Sequence, residues 1–310
     1  MVFVNRTRGR GGLTLAHLSD LHLCHPRGAP LSAFLGKRIL SLVSWLLRRR
    51  RDHGPEILER LVATLAAAES DHRLVTGDLV QLALPSEFRK ATGMLERLGG
   101  PEEVFVVPGN HDALVRTAWR ERARLMGGYV AGDGARAAAG PEAFPAVRFR
   151  GPVALIGVSS ARPTPPLSAA GSLGEEQARR LEGLLAETGR QGFFRIVLIH
   201  HPPFTRGLSP HKRLRDLPRL LALIRRRGAE LVLHGHTHRI SRRAIPGPRG
   251  PVPVLGISSA SCASRDPERR SAFRMLHFEL QRGASRLRVQ DFRWEPACRD
   301  FRGLPEYTLP

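Results

Sequence analysis

Val104-Phe105-Val106-Val107-Pro108-Gly109-Asn110-His111-Asp112 begins as an apolar run and stops at an amide, an imidazole and a carboxylate. A run of this kind reads as a buried strand that ends in a polar loop. Similar junctions recur at Leu18-Ser19-Asp20-Leu21-His22, Val75-Thr76-Gly77-Asp78, Ile199-His200-His201 and Leu233-His234-Gly235-His236-Thr237-His238. One histidine at a strand end is most simply a capping or core residue. Asp20, His22, Asp78, Asn110, His200, His236 and His238 at successive strand ends form the pattern of a metal centre, because the carboxyl ends of strands in a parallel-type sheet line one ligand-binding edge.

Working outward, the spacing predicts strands over Leu13 to Leu18, Arg73 to Thr76, Glu103 to Val107, Val153 to Val158, Arg195 to Ile199 and Leu231 to Leu233. Helices are predicted over Pro55 to Ala68, Pro85 to Leu98, Glu175 to Glu187 and Leu217 to Arg227, several with proline or acidic residues in the first turn. Val252 to Ile257, Phe273 to Leu280 and Leu287 to Trp294 read as an antiparallel ending. Asp20 and His22, two apart on an extended segment, point the same way and present a carboxylate and an imidazole to one cation. The donors are carboxylate, imidazole and amide without thiolate spacing, so the set favours Mn, Fe or Zn at a reactive centre over a structural zinc cage.

At 310 residues and 42% hydrophobic content, the chain suffices for one large α/β domain with a substantial core. Cys24, Cys262 and Cys298 show no pairing pattern, which fits a reducing compartment, and Cys24 is read as a small apolar filler rather than a ligand. Met1 to Gly12 is a basic lead-in without signal-peptide character, and no segment is long and apolar enough to span a bilayer. A cytoplasmic location is the expectation. The net charge of +21 favours anionic partners. It is carried almost wholly by arginine, and basicity without a recognised motif does not make a nucleic-acid binder.

Leu31 to Arg51 stands apart. Leu35, Ile39, Leu42, Val43 and Leu46 fall at helical spacing with Trp45 at an apolar edge, while Lys37, Arg38 and Arg48 to Arg51 supply a basic face and end. Two readings compete: an interfacial helix making peripheral contact with an anionic membrane at its inner face, or an amphipathic helix packed on its own domain.

The order D-x-H, G-D, G-N-H-D, H-H-P-P and G-H-T-H, from Asp20 to His238, resembles the calcineurin-like metallophosphoesterases, and the likeness covers roughly Leu13 to Trp294. The resemblance implies a four-layer α/β/β/α sandwich of two mixed sheets. It implies that Asp20, His22 and His238 hold one ion, that Asn110, His200 and His236 hold a second, and that Asp78 bridges both, with His201 behind the ligands. It further implies that His111 contacts the phosphate or protonates the leaving oxygen and that Asp112 orients its ring. Two cations roughly 3.5 to 4 Å apart can share a bridging water, lower its pKa and clamp phosphoryl oxygens, so the nucleophile would be a metal-bridging hydroxide. Relatives often carry a further acidic or amide residue after G-D, where this chain offers only Gln81.

The His-His-Pro-Pro form resembles bacterial cyclic-nucleotide and glycerophosphodiester phosphodiesterases, which makes a small phosphodiester the leading substrate. The alternative is a membrane-surface enzyme on a lipid-linked phosphate or pyrophosphate, similar to the UDP-diacylglucosamine pyrophosphohydrolases. An inactive metal-binding interaction module and a nuclease complete the alternatives. Substrate choice is expected from the loops 31–53, 131–145, 161–174 and 204–215. One phosphoesterase domain is expected over 13–295, with 31–53 as a basic amphipathic insert and 296–310 as a tail trailing over the surface.

Overall fold

The computed structural model describes residues 12–34, 36–49, 53–116, 118–135, 140–281 and 284–309. Most of the basic lead-in, Leu35 and the Arg50-Arg51 pair lie outside the described residues. In chain order the strands are β1 (Gly12–Leu18), β2 (His72–Val75), β3 (Val104–Val106), β4 (Ala146–Arg150), β5 (Val153–Val158), β6 (Phe194–Ile199), β7 (Leu231–His234), β8 (Ser241–Gly247), β9 (Gly250–Gly256), β10 (Ala272–Gln281), β11 (Ala284–Glu295), β12 (Asp300–Gly303) and β13 (Tyr307–Leu309). The α-helices are α1 (Lys37–Ser44), α2 (Pro55–Ala67), α3 (Pro85–Leu98), α4 (Ala118–Val130), α5 (Glu175–Arg190) and α6 (Leu217–Arg227). A π-helical turn, Trp45–Arg49, continues α1.

Two mixed sheets with flanking helices result, as expected. One runs β12-β11-β10-β1-β2-β3 with β13 also on β11, and the other runs β4-β5-β6-β7-β9-β8. β1, β2 and β3 are parallel, as are β5, β6, β7 and β9, so each sheet brings the carboxyl ends of its central strands to one edge. Alternation along β5 shows why the layers form. Val153 and Leu155 join the cluster that holds Leu15, Leu74 and Phe105, while Ala154, Ile156 and Val158 pack with Leu181 and Leu185 of α5 and Leu220 and Ile224 of α6. Helical spacing does the same on the other flank, through Ile57, Leu58, Leu61, Val62 and Leu65 of α2 and Phe88, Ala91, Leu95 and Leu98 of α3. Each valine, leucine, isoleucine or phenylalanine among these, fully buried, contributes about 1.5–3 kcal/mol.

Local signals set the ends. Proline opens α2 and α3, and Glu87 reaches back from the first turn of α3 to accept from the amides of Leu84 and Leu82. Gly228, at φ 77°, stops α6.

The structure departs from expectation in four places. Residues 296–310 do not trail over the surface: β12 and β13 both pair antiparallel with β11. β9 is parallel to β7, so the strands after it are not all part of an antiparallel ending. β4, β8 and α4 were not anticipated, because β8 is an Arg- and Pro-containing edge strand and α4 carries Gly127-Gly128 near its end. Lys37 and Arg38 do not form a solvent-facing basic face on α1. Lys37 Nζ donates to Thr164 Oγ1 and to the Ser168 carbonyl at 2.8 Å, and Arg38 donates to the carbonyls of Leu82 and Ala83. A buried guanidinium also ties the two sheets: Arg274 of β10 pairs with Asp291 of β11 in its own sheet (Nε to Oδ1, 2.7 Å) and donates from Nη2 to the Gly256 carbonyl of β9 in the other at 3.2 Å.

Candidate metal centre

The expected ligands meet where the two sheets present their carboxyl ends. The loop after β1 carries Asp20 and His22, that after β2 carries Asp78, and that after β3 carries Asn110 and His111. From the second sheet come His200 after β6 and His236 and His238 after β7. Backbone bonds lock these loops side by side: Asp20 N donates to the Gly77 carbonyl (2.8 Å) and His22 N to the Asp78 carbonyl (3.0 Å). Gly109 must be glycine, because a Cβ there would strike the Asp78 carboxylate and amide.

The backbone at these positions is unusual. Asp20 (φ 57°), His22 (φ 48°), Asp78 (φ 53°), His236 (φ 66°) and His238 (φ 50°) all adopt the left-handed region. For non-glycine residues that conformation costs on the order of 1–3 kcal/mol each and clusters where function holds it. The gain is convergence. One atom each of Asp20, His22 and His238 lies within 4.8 Å of the others, and the same holds for Asp78, His200 and His236 and for His22, Asp78 and His111. Asp78 Oδ2 sits between the outer groups, 3.9 Å from His22 Nε2 and 3.3 Å from His200 Nε2. Asn110 Oδ1 is 3.2 Å from His200 Nε2.

The donor set fits cations. His22 Nε2 and His238 Nε2 face each other at 3.0 Å, with Asp20 Oδ1 3.1 Å from the latter, and His236 Nδ1 faces His200 Nε2 at 3.2 Å. Imidazole nitrogens turned toward one another around carboxylates need a shared positive charge. Electrostatics agree. Burial alone would raise the carboxyls of Asp20 and Asp78, yet the histidines around them hold both well below the usual carboxylate range. Burial opposes a charge on His200 too, but Asp78 and Asp20 outweigh it and raise this imidazole.

Outside the ligand groups, partners fix the side chains. His200 spends Nδ1 on the Thr76 carbonyl (2.7 Å) and turns Nε2 inward. His201 has both ring nitrogens engaged, Nδ1 with Ser160 Oγ (2.8 Å) and Nε2 with the Ala169 carbonyl (2.9 Å), and burial pushes its pKa down to about 3. Ser19 Oγ and the His236 amide donate to Asp20 Oδ2 at 2.6 and 3.0 Å, which orients that carboxylate.

One expected role is corrected. Asp112 does not orient the ring of His111: its carboxylate accepts from the amides of Leu79, Val80 and Gly109 at 2.9, 3.2 and 2.8 Å and so ties two loops together. The ring of His111 is held instead through Nδ1, 2.7 Å from the Gln81 carbonyl, and its amide donates to Asp78 Oδ1 at 2.7 Å. Burial and the nearby Asp78 charge raise the Asp112 carboxyl. Cys24 stands outside the ligand groups, half-buried beside Glu87.

His53 was not anticipated. Its ring lies 5.0 Å from that of His22 and 6.4 Å from that of His238, and its Nδ1 is 2.6 Å from Ser261 Oγ. It follows the arginine run and ends no apolar strand, so no periodic signal marks it.

Two adjoining His/Asp clusters at the carboxyl edges of a two-sheet sandwich define the metal site of a metallophosphoesterase. The chain belongs to the calcineurin-like phosphoesterase family, whose model matches residues 13–239, and is a metal-dependent phosphoester hydrolase. No curated protein matches the sequence. Among solved structures, a dimetal phosphatase from Danio rerio is similar over 96% of this chain and 98% of that one, at 13% identity and a TM-score of 0.63. Purple acid phosphatase PPD1 from yellow lupin is similar over 96% of this chain and 53% of that one, at 14% identity and a TM-score of 0.60. At those identities the likeness is one of fold.

Proposed function

We propose that the protein hydrolyses a phosphodiester at a dinuclear centre in which Asp20, His22 and His238 hold one ion, Asn110, His200 and His236 hold the other, and Asp78 bridges them. The observation that carries this reading is the place of Asp78 Oδ2, between His22 Nε2 at 3.9 Å and His200 Nε2 at 3.3 Å. Mn, Fe and Zn all suit the donor set. When bound, such a pair supplies an activated water and neutralises charge on the phosphoryl oxygens. The chain's own residues do the rest. Thr76 fixes the orientation of His200 by accepting from Nδ1–H, which turns Nε2 inward, where its lone pair would face an ion. The Gln81 carbonyl fixes Nδ1–H of His111 in the same way, leaving Nε2 to hold a proton for the leaving oxygen or to contact the phosphate.

Preference for a diester is supported by the His200-His201-Pro202-Pro203 resemblance. The test is metal analysis of the purified protein followed by turnover of bis-p-nitrophenyl phosphate against p-nitrophenyl phosphate. Two metals per chain and faster diester cleavage are expected. A single metal sinks the bridging role of Asp78, and monoester preference sinks the diester.

A second reading places a lipid-linked phosphate or pyrophosphate in the same site. One observation favours it: the amphipathic insert ends at His53, against the ring of His22.

A further inference from the structure

Apolar side chains are scattered thinly over most of this surface, with one exception. Among the described residues, the large hydrophobics that stand exposed are Leu31, Ile39, Leu40, Val43, Leu46, Leu47 and Leu167. Six belong to the segment 31–47, and the seventh lies on the loop to which Lys37 is bonded through Thr164 and the Ser168 carbonyl. No residue of α1 or of the turn Leu31–Phe34 is buried. Contiguous exposed apolar surface of this kind marks an interaction site.

The segment is nevertheless firmly attached. Arg38 donates to the Leu82 and Ala83 carbonyls at 2.9 and 2.6 Å, and Lys37 reaches the opposite loop. The polar side chains that sequence alone would place on a solvent face are thus turned to the body, which leaves the apolar ones outward. Leu167 adds a second, independent sign. It is 82% exposed and sits at φ 64°, a left-handed conformation that is costly for a leucine.

We infer that α1, its π-helical continuation and the Leu167 loop form a docking surface for an anionic lipid bilayer, lying in the headgroup region rather than crossing it. Charge selects this occupant. In the sequence this segment runs on into Arg48-Arg49-Arg50-Arg51, in a chain of net charge +21, and an arginine run that adjoins an apolar stretch in the chain suits acidic headgroups. A second copy of the chain would bring the same arginines and the same net charge to the contact and be repelled. No helix among the described residues is long and apolar enough to cross a membrane, which agrees with lying on one.

The surface is joined to the metal centre at both ends. Arg38 grips Leu82 and Ala83, next to the Gln81 carbonyl that holds His111, and the insert closes at His53 beside His22. Docking would therefore bring the metal centre near the headgroups. That consequence rests on the phosphoester reading; the docking itself does not.

The experiment is co-sedimentation of the full chain with vesicles of phosphatidylcholine alone or with 30 mol% phosphatidylglycerol, at low and high salt. The comparison proteins are L46D/L47D and, separately, L167D, all at positions whose side chains are exposed and outside the catalytic machinery. Binding to the anionic vesicles alone, weakened by salt and reduced at least tenfold in L46D/L47D, is the expected result, with hydrolysis of bis-p-nitrophenyl phosphate in solution unchanged. Failure of the wild-type chain to sediment with anionic vesicles, equal binding by the variants, or a concentration-dependent dimer that the variants abolish would each overturn the inference. A chain that binds vesicles but cleaves no phosphoester would leave the docking surface standing and remove the proposed reaction.

Discussion

Replacing His111 by alanine separates chemistry from metal binding. The side chain contributes one ring, fixed by the 2.7 Å contact of Nδ1 with the Gln81 carbonyl, while the contact that helps build the centre, from the amide of His111 to Asp78 Oδ1, belongs to the backbone and survives the change. His111 is only 8% exposed, so the variant also leaves a small cavity beside the centre. Proton transfer or phosphate contact by a positioned imidazole contributes about 10²- to 10⁴-fold, or about 2.7–5.4 kcal/mol of transition-state stabilisation. We expect kcat on an alkyl phosphodiester to fall by that factor while metal content stays at the wild-type value. On bis-p-nitrophenyl phosphate the loss should be smaller, because nitrophenolate leaves with less need of a proton. Measuring both substrates alongside metal stoichiometry distinguishes the outcomes. Loss of a metal would move His111 among the ligands, as its grouping with His22 and Asp78 geometrically permits. An equal loss on both substrates would rule out proton donation, and no loss would remove His111 from the reaction.

Three further outcomes follow from the same geometry. His200→Ala should lose one metal and nearly all turnover, whereas His201→Ala, whose ring nitrogens face Ser160 and Ala169, should keep both metals; metal analysis of the two variants decides. Chelation should abolish activity and lower thermal stability, by about 2.7 kcal/mol for each site that had been held at a hundred times its dissociation constant, and restored Mn, Fe or Zn should reverse both effects. Asp291→Ala should destabilise the fold by about 3–5 kcal/mol in denaturant unfolding, because Arg274, with a fully buried side chain, keeps its charge and loses its carboxylate. A change below about 1 kcal/mol would show that the Arg274–Asp291 pair contributes little to holding the fold.

Much of this protein is legible from the order of its residues. Apolar runs of period two and helical runs of period 3.6 are local properties, so the strands that end at the metal centre and helices α2, α3, α5 and α6 could be placed within a few residues. The ligand types could be read because each follows an apolar run directly, and a parallel sheet sends such ends to one edge. What sequence could not supply was the partner of each polar group. Whether His200 or His201 faces the centre depends on Thr76, Ser160 and Ala169, which lie 124, 41 and 32 residues away. Gln81 rather than Asp112 holds the ring of His111 for the same reason, since adjacency in the chain does not fix which atoms meet. The C-terminal strands pair because β11 offers an edge, and Ile39, Leu40 and Val43 of α1 stand exposed while the carbonyls of Leu82 and Ala83 hold Arg38. Sequence by itself determined the elements and the chemistry available at their ends; tertiary structure decided which ring nitrogen, which carboxylate and which helix face is left free to act, because hydrogen-bond partners are chosen in space.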